Sequence, residues 1–438
     1  MSRVAILFDN FGPYHLARLK AASGVCDVLA VEFGSSSAEY DWKSSEAAGL
    51  KRVALNDRGS SRDLPIDEFQ KRLFHVLDEY QPEVVVVPGW GYRGALMALR
   101  WGLLHRAPVI CMSESTQWDE VRNPIKEWIK RRIIGLFSSA LVGGSPHRAY
   151  MVELGMPADR IFLGYDAVDN GFFSEGVKKT VESRRNGCDA TAGPAMSRVE
   201  GAAVEEEGES TTKAVHPRPY FLTSARFIPK KNLFRLLRAY ALYRQRVEGR
   251  VSSVEGQMQQ QSIVNEQFAP WDLILLGDGV LRPELEKLRS HLGLEDCVQM
   301  PGFKQFDELP AYYALAGAFI HASTTEQWGL VVNEAMASGL TVLVSNRCGC
   351  ASDLVRESEN GWTFDPTNEE QMADLMLRIA SDEEARERMG ARSSEIIAEW
   401  GPDRFASGLT GALQAAFSIP IKKIGLLDRL IVWVLIRR

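Results

Sequence analysis

Short runs of β-branched and aliphatic residues alternate with amphipathic segments of helical length along the first part of the chain. The runs are VAILF (4–8), VVVVP (84–88), PVICM (108–112) and SALVGG (139–144). Apolar strands separated by helical crossovers are typical of a parallel sheet covered by helices. This pattern predicts an α/β domain, and we assign residues 1–182 to it.

The alternation stops at Ser183. From there to Ala214 the sequence has no aromatic residue, no Leu and no Ile, and it contains the polar stretch VEEEGESTTK. Such a segment cannot bury enough apolar surface to become ordered. We therefore predict a disordered linker or insertion over residues 183–216.

The same alternation resumes after the linker. Its apolar runs are YFLTS (220–224), WDLILLG (271–277), CVQMPG (297–302), GAFIHAS (317–323) and LTVLVS (340–345). They predict a second α/β domain over residues 217–400, with an exposed loop insertion at 248–267 and further helices over 401–438. Ligands of doubly wound sheets bind outside the carboxyl ends of the strands, so we expect one cleft between the two domains.

Composition narrows the classes of function. The 438 residues carry 51 Lys and Arg against 57 Asp and Glu, a net charge of −6, which argues against a protein that binds nucleic-acid phosphates. The six cysteines form no CxxC pair and no disulfide framework, so we expect a cytoplasmic protein. We interpret the N-terminus as a first buried strand rather than a signal peptide.

The stretch TTEQWGLVVNEAMASG (324–339) places two carboxylates around an apolar helix. The predicted helix starts near Gly329, and its free N–H groups would attract a phosphate. Glu326 lies in the turn before the helix and Glu334 about a turn and a half inside it. Because helical side chains lean toward the N-terminus, both carboxylates can reach one ligand.

Carboxylates repel phosphate, so Glu326 and Glu334 suit hydroxyl groups on either side of it, as in a sugar and a ribose. The stretch SARFIPKKN supplies cations for the phosphate through Arg226 and Lys231. The sequence has no DxD, HExxH or paired CxxC motif, and Cys348 with Cys350 alone is a weak metal signal. We therefore predict a nucleoside diphosphate sugar as ligand, with no metal and no cofactor.

These motifs occur in a fixed order: SARFIPKKN, LILLGDG, VQMPGF, EQWGLVVNEAMASG and ENGWTFDP. In that combination, from about Pro219 to Asp365, the chain resembles the retaining glycosyltransferases of family 4. The resemblance implies a GT-B fold, in which two Rossmann-like doubly wound domains face a central cleft. It also implies sugar transfer with retention at the anomeric carbon.

The resemblance assigns roles to individual residues. It makes Arg226 and Lys231 the diphosphate clamp, Glu326 the partner of the donor sugar and Glu334 the partner of the ribose. The remaining donor contacts that it implies are the backbone of Gly329, Leu330 and Val331 at the helix start, Gly302 with Phe303 beside the base, and Gly12 near the diphosphate.

Two acceptor-side candidates lie in the N-terminal half. His15 follows Gly12 and Pro13 in NFGPYHLARL (10–19), and Glu114 follows the predicted strand PVICM. Each has a structural alternative, because a polar residue at either place could instead cap a helix.

The chain ends in IKKIGLLDRLIVWVLIRR (421–438), an apolar segment with Trp433 and several basic residues. Such a helix can lie in a membrane interface, or it can pack on the other domain. We favour the interface, which makes the protein peripheral on the cytoplasmic face of a membrane.

The function that these observations predict is a metal-independent retaining glycosyltransferase. It would move a sugar from a nucleoside diphosphate sugar to a hydroxyl acceptor, with lipid-linked acceptors among the candidates, in glycolipid or polysaccharide assembly. The alternatives are a catalytically idle nucleotide- or glycan-binding scaffold and a nucleotide-sugar epimerase.

Overall fold

The computed structural model describes residues 1–35, 49–57, 59–189, 216–255, 269–421 and 424–437. Its strands are β1 Arg3–Phe8, β2 Asp27–Glu32, β3 Lys51–Ala54, β4 Val84–Pro88, β5 Val109–Ser113, β6 Ser139–Val142, β7 Ile161–Leu163, β8 Tyr220–Ser224, β9 Asp272–Leu276, β10 Val298–Gly302, β11 Ala318–His321, β12 Val342–Ser345 and β13 Gly361–Phe364. They form two parallel sheets, one in each half of the chain.

Helices connect these strands. They are α1 Pro13–Ser23, α2 Ile66–Tyr80, α3 Arg93–His105, α4 Pro124–Ile134, α5 Ser145–Glu153, α6 Asn170–Asp189, α7 Leu233–Glu255, α8 Arg282–His291, α9 Leu309–Ala314, α10 Leu330–Ala337, α11 Ala351–Leu354, α12 Glu369–Ala380, α13 Glu383–Ala398, α14 Pro402–Ser418 and α15 Leu426–Arg437. None of the described helices is both long enough and apolar enough to span a bilayer.

The first sheet has seven strands in the order β3-β2-β1-β4-β5-β6-β7. Alternate residues of β1 and β4 enter two different cores, with Leu7 and Val85 on one face and Ile6 and Val86 on the other. Strands buried on both faces need apolar residues at every position, which explains the continuous apolar runs of the sequence.

The second sheet has six strands in the order β10-β9-β8-β11-β12-β13. Strands β9 and β10 are added on one side of β8, whereas β11, β12 and β13 are added on its other side. The strand order therefore reverses between β8 and β11, which pair in parallel. The loops that leave the carboxyl ends of these two strands therefore lie next to each other, at the point where doubly wound sheets bind ligands.

Two helices connect the lobes. Helix α14 packs against α1 and against β5, β6 and β7 of the first lobe, although it follows the second lobe in sequence. Helix α6 packs on α9 and α10 of the second lobe, and Phe173 is fully buried there. Residues 170–182, which we assigned to the first domain, thus contact the second.

The structure corrects two predicted boundaries. Helix α6 continues through Asp189, so residues 183–189 are helical rather than part of a linker. Helix α7 likewise runs to Glu255 and takes in the first part of the loop predicted at 248–267. In both places a helix that starts with buried apolar residues extends into a polar sequence. The remainder of each predicted segment, 190–215 and 256–267, lies outside the described residues.

Candidate active site

A cleft of about 620 Å³ lies between the two lobes. The residues predicted to act on the donor or acceptor that line it are Glu114, Arg226, Lys231, Phe303, Glu326, Gly329, Leu330, Val331 and Glu334. Gly12, His15 and Gly302 are not among the described residues that form its walls. The cleft therefore collects most of the predicted site from both sheets.

The cationic loop follows β8 and ends in a short 3-10 helix, Pro229–Lys231. Asn232 fixes this loop, because its side-chain amide donates to the carbonyl oxygens of Ala322 at 3.0 Å and Pro366 at 2.7 Å. Asn232 takes a left-handed backbone conformation with φ 60°, which asparagine tolerates better than most residues. The loop after β8 is thereby tied to the loop after β11.

The motif LILLGDG has a packing role beside this loop. A Cβ at Gly277 would clash with the carbonyl oxygen of Ala225, and one at Gly279 would lie 2.8 Å from that of Phe227. Both glycines also have positive φ, at 126° and 152°. They let the loop after β9 lie directly against the residues on either side of Arg226, and both glycines line the cleft.

Glu326 is the centre of a charged cluster. Its Oε2 accepts from Lys231 Nζ, its Oε1 lies 3.3 Å from Lys230 Nζ, and its Oε2 lies 3.7 Å from His321 Nε2. Burial alone would raise the pKa of Glu326, but the hydrogen bond from His321 and the charge of Lys231 outweigh it, so the pKa is well below its usual range. Glu326 is therefore an ionised carboxylate.

Lys231 contacts Glu326 directly, whereas the sequence assigned it to the diphosphate. Its side chain and that of Glu326 are 12% and 11% exposed, so the pair is largely buried. Lys230, which the sequence did not single out, is the second cation of the cluster. Two adjacent lysines leave a surplus of positive charge next to Glu326.

The start of α10 faces the cleft. Gly329 precedes the helix with φ 103°, a left-handed conformation that favours glycine. Trp328 is almost fully buried, and its Nε1 donates to Asn333 Oδ1 at 2.9 Å. The turn is fixed by this contact, and the first amides of the helix, at Leu330 and Val331, lie at the cleft wall.

Glu334 contacts two tyrosines. Its Oε1 accepts from the hydroxyl of Tyr14 at 2.5 Å and its Oε2 from that of Tyr313 at 2.7 Å. Burial raises the pKa of Glu334 to about 7, even though both hydrogen bonds act to lower it. Tyr14 comes from the first lobe, so this contact crosses the cleft. An aromatic residue at the first strand-to-helix turn was its only sign in the sequence.

His15 is a helix cap in the structure. Its Nδ1 accepts from the backbone N–H of Gly12 at 3.1 Å, and its ring lies 4.5 Å from that of Phe8. Burial, with a smaller contribution from Arg18, lowers the pKa of His15 to about 3. The acceptor role that we considered for His15 thus gives way to capping of α1, which also uses the N–H of Gly12.

His147 repeats this arrangement at the start of α5 and adds a contact between the lobes. Its Nδ1 accepts from Gly144 N–H at 3.0 Å, and its Nε2 lies 2.9 Å from the carbonyl oxygen of Gln327. With Nδ1 as acceptor, Nε2 carries the proton and donates to Gln327. The histidine therefore holds the turn between Glu326 and Trp328, a function that its isolated position in the sequence did not indicate.

Glu114 follows β5 and lines the cleft from the first lobe. The alternative that its stretch caps the next helix is wrong, because Asn123 caps α4 by accepting from the N–H groups of Ile125 and Lys126. Asp119 instead accepts from the backbone N–H of Thr116 at 2.8 Å and closes the turn behind Glu114. Glu114 is left facing the cleft.

Among the described residues, no group of three or more His, Cys, Asp or Glu side chains is placed to hold a metal ion. Cys348 and Cys350 are both buried beside Glu326. Burial and the nearby carboxylate raise the pKa of the Cys348 thiol above its ordinary value, so it stays protonated.

Comparison with known proteins adds to this geometry. Residues 205–395 match the family model described as glycosyl transferases group 1. The chain is 28% identical over 205 residues to the GDP-mannose-dependent alpha-(1-6)-phosphatidylinositol monomannoside mannosyltransferase of Mycobacterium tuberculosis. That match covers 45% of this chain and 48% of the relative. It is 31% identical over 125 residues to the alpha-D-kanosaminyltransferase of Streptomyces kanamyceticus, 28% of this chain and 32% of the relative.

Solved structures match over nearly the whole chain. HepE from Anabaena in complex with UDP and glucose has a TM-score of 0.65 at 15% identity, and the match covers 95% of this chain and all of the other. Sucrose-phosphate synthase from Thermosynechococcus elongatus also has a TM-score of 0.65, at 16% identity over 95% of this chain and 100% of that one.

The sequence matches and the structural matches cover different shares of the chain. The chain spans about half the length of its first curated relatives, whereas the structural match extends over both lobes at an identity that shows the fold alone. The two parallel sheets are those of the GT-B fold. Residues 205–395, a little under half of the chain, are similar to the glycosyl transferases group 1 family.

Proposed function

We propose that the protein is a glycosyltransferase that moves a sugar from a nucleoside diphosphate sugar to a hydroxyl acceptor, with retention and without a metal ion. The observation that carries the proposal is the second-lobe wall of the cleft. There Arg226, Lys231, the start of α10, Glu326 and Glu334 line one continuous surface.

This surface suits a diphosphate flanked by alcohols. Arg226, Lys230 and Lys231 supply cations, and the amides at the start of α10 supply a partial positive charge. Glu326 is ionised, so it accepts hydrogen bonds from sugar hydroxyls and repels a phosphate. In this proposal Lys231 turns from Glu326 toward the diphosphate when the donor binds, and Glu326 takes the sugar hydroxyls in its place.

Catalysis then rests on fixed charge. Glycosyl transfer passes through a state that resembles an oxocarbenium ion, while negative charge collects on the departing diphosphate. Preorganised cations and helix amides stabilise that charge without reorganisation. Retention and independence of metal come from the family resemblance and the chemistry of these side chains, and both belong to the proposal.

We further propose that the acceptor is carried at an anionic membrane surface, as in glycolipid or polysaccharide assembly on the cytoplasmic face. Helix α15 has an exposed apolar side, with Leu426 at 86%, Leu430 at 55% and Trp433 at 46% exposure. Its opposite side packs on the first lobe through Val432 and Ile436, which are buried. The helix is therefore attached and amphipathic, as interfacial helices are.

Helix α4 extends this surface. Ile125 and Trp128 are 70% and 47% exposed, and Arg132 of α4 binds Asp428 of α15 at 2.7 Å. Exposed cations accompany the apolar side chains, namely Lys126, Arg131 and Arg429. Apolar side chains with Trp among basic residues suit the headgroup region of an anionic bilayer better than a protein partner of the same charge.

The test of the function is turnover. Separate UDP-sugars and GDP-sugars are incubated with the protein and a total lipid extract, with and without a chelator, and released nucleoside diphosphate is measured. Release that requires the lipid and survives the chelator supports the proposal. Binding of donor without any release would favour a scaffold, and conversion of the donor to another nucleotide sugar without lipid would favour an epimerase.

A further inference from the structure

Lys230 and Lys231 are neighbours in the short helix after β8, yet they contact different oxygens of Glu326. Nζ of Lys230 donates to Oε1 at 3.3 Å, and Nζ of Lys231 donates to Oε2. Oε2 also accepts from the hydroxyl of Ser323 at 3.4 Å and lies 3.7 Å from Nε2 of His321. The two oxygens of the carboxylate are therefore held by separate groups, and Lys230 holds Oε1.

The backbone fixes the distance between Lys230 and Glu326. The carbonyl oxygen of Lys230 accepts from the N–H of Thr324 at 2.8 Å and from its hydroxyl at 3.3 Å. The N–H of Glu326 donates to the carbonyl oxygen of Arg347 at 3.1 Å. The loop after β8 is thus joined to the loop after β11 close to Glu326, so the two side chains meet from fixed backbones.

The two lysines differ in their access to the cleft. Lys231 lines it, whereas Lys230 is not among the described residues that form its walls. The side chain of Lys230 is 36% exposed, against 12% for that of Lys231. A diphosphate in the cleft can therefore draw Lys231 away from Glu326, but it leaves Lys230 in place.

Lys230 continues to neutralise Glu326 once Lys231 has moved. Glu326 needs this, because only 11% of its side chain is exposed and a buried carboxylate without compensation is strongly destabilised. His321 does not supply the charge. Burial lowers the pKa of His321 below its ordinary value in spite of the neighbouring carboxylate, so the ring is neutral at pH 7.

The charges of this site balance for a donor whose sugar is uncharged. Such a donor carries one negative charge on each phosphate, which Arg226 and Lys231 match, while Lys230 matches Glu326. A carboxylate on the sugar would lie beside Glu326 and would meet a like charge, which costs binding free energy unless another cation is near.

Other charged groups of the cleft do not supply that cation. Lys304 lies 3.3 Å from Glu308, and Arg282 lies 2.9 Å from Asp278, so both cations have acidic partners. Glu114, from the first lobe, adds an acid to the lining. Among the described residues of the cleft, the surroundings of Glu326 therefore suit hydroxyl groups rather than a second carboxylate.

We propose that Lys230 stays bound to Glu326 while Lys231 engages the diphosphate, and that this pair makes the site select donors with an uncharged sugar over donors with a sugar carboxylate. The inference rests on the proposed function and names the class of its donor. Lys230 is a positioning residue, since it acts through Glu326 and not on the donor itself.

A double-mutant cycle in the full chain tests whether Lys230 acts through Glu326. UDP and GDP are titrated separately by calorimetry into the unchanged chain, Lys230→Met, Glu326→Gln and the double variant. In Lys230→Met, the move of Lys231 to the nucleotide leaves Glu326 without a lysine, so the Kd should rise roughly 10-fold, the value of one hydrogen bond to a charged group. In the Glu326→Gln background the same change should alter the Kd less than about 2-fold.

Two further variants control for structure. Lys230→Arg keeps the cation and should restore most of the affinity. Lys287→Met, on the exposed side of α8 in the same lobe, removes the same charge and should change neither the Kd nor the thermal unfolding midpoint. A rise in Kd that is equal in both backgrounds would mean that Lys230 binds the diphosphate directly. That result, or an unchanged Kd in Lys230→Met, would overturn the inference.

Selection of the sugar is tested with matched donors that share base and ring configuration. The pairs are UDP-glucose with UDP-glucuronate and GDP-mannose with GDP-mannuronate, and the pair used is the one whose base the chain binds. The unchanged chain should bind the hexose donor roughly 10-fold more tightly or better, because the uronate meets a like charge. Glu326→Gln should narrow this gap. Equal or tighter binding of the uronate donor by the unchanged chain would contradict the proposed selection.

The outcomes separate this inference from the proposed function. If neither UDP nor GDP binds and neither kind of nucleotide sugar is turned over, the proposed function fails and the inference fails with it. If a donor binds and is turned over, but Lys230→Met has the same effect with and without the Glu326 carboxylate, the function stands and the role of Lys230 is wrong.

Discussion

The second-lobe wall of the cleft takes its charged side chains from two short stretches, residues 226–231 and 326–334. The first-lobe wall takes Tyr14 and Glu114 from two separate strand ends. A site built from local stretches leaves a motif in the sequence, and a site built from distant contacts does not. The two walls therefore differ in how far they could be recognised before the structure.

The largest effect is expected at Glu326. Glu326→Gln keeps the shape of the side chain but removes the charge that Lys230 and Lys231 neutralise. We expect kcat to fall roughly 100- to 1,000-fold, the cost of losing one preorganised polar contact at the reacting centre. Steady-state release of nucleoside diphosphate measures this.

A matched control is Glu387→Gln, on the exposed side of α13. It removes the same charge from the same lobe and should leave turnover and thermal unfolding unchanged. If Glu326→Gln turns over at the rate of this control, Glu326 has no role in the site. The proposal that the second-lobe wall binds the donor sugar through this residue would then be wrong.

The next effect concerns the buried Glu334, whose pKa is raised from 4.5 to about 7 in the folded chain. A carboxyl with a raised folded pKa contributes stability that is full below pH 4.5 and is lost as the pH rises through 7. The shift corresponds to about 3 kcal/mol of unfolding free energy over that window. Glu334→Gln stays neutral throughout and should lack this dependence.

Urea unfolding from pH 5 to pH 8 measures the difference between the two proteins. The gap in unfolding free energy between Glu334→Gln and the unchanged chain should widen in favour of the variant as the pH rises toward 7, and it should level off above that. Parallel curves would mean that Glu334 is already ionised at low pH, and the two tyrosine contacts would then outweigh its burial.

A smaller effect tests the outer surface of the first lobe. Replacing Leu430 and Trp433 by Ser removes exposed apolar area from α15 and leaves its buried side intact. Partition onto vesicles with an anionic lipid should weaken roughly 10- to 100-fold, from the apolar area no longer buried in the interface. Vesicle co-sedimentation measures this, and Val152→Ser, on exposed α5, is the control.

Binding that persists in the double variant would place the membrane contact elsewhere or show that the surface has another occupant. Binding lost equally in neutral vesicles would show that the apolar side chains act without the basic residues around them.

The contrast between the walls also explains which predictions held. The strands VVVVP and YFLTS match β4 and β8 residue for residue, because strands buried on both faces are apolar without interruption. Four strands, β2, β3, β7 and β13, were not predicted. Three or four residues such as KRVA or IFL carry no readable pattern, and DVLAVE of β2 has an acid at each end of its apolar residues. Order along the chain, by contrast, sufficed to predict two doubly wound domains.

The roles of individual residues could be predicted where neighbours in sequence define the site, but not where the role depends on a contact between distant parts of the chain. Arg226, Lys231, Glu326 and Glu334 were singled out because neighbours in sequence indicate strand ends and helix starts. His147 was passed over although it holds Gln327, since its contact joins residues 180 positions apart. For His15 the sequence left two possibilities open, an acceptor-side role and a helix cap, and the hydrogen bond from Gly12 N–H to its Nδ1 favours the cap.

The smallest effect tests a contact that crosses the cleft from the first lobe to Glu334. Tyr14 donates to Glu334 across the cleft, so a ribose that binds Glu334 must compete with it. Tyr14→Phe removes this competitor, and the Kd of a nucleoside diphosphate should tighten roughly 5-fold, the value of about 1 kcal/mol for one hydrogen bond. Calorimetric titration with UDP and with GDP separately measures the change.

Tyr313→Phe is the matched variant. Tyr313 contacts the other oxygen of Glu334 from the same lobe and is fully buried, so the loss of its hydroxyl should give no such gain in nucleotide affinity. Weaker binding in Tyr14→Phe would mean that the tyrosine contacts the nucleotide directly, and the first lobe would then contribute to the donor site rather than close it.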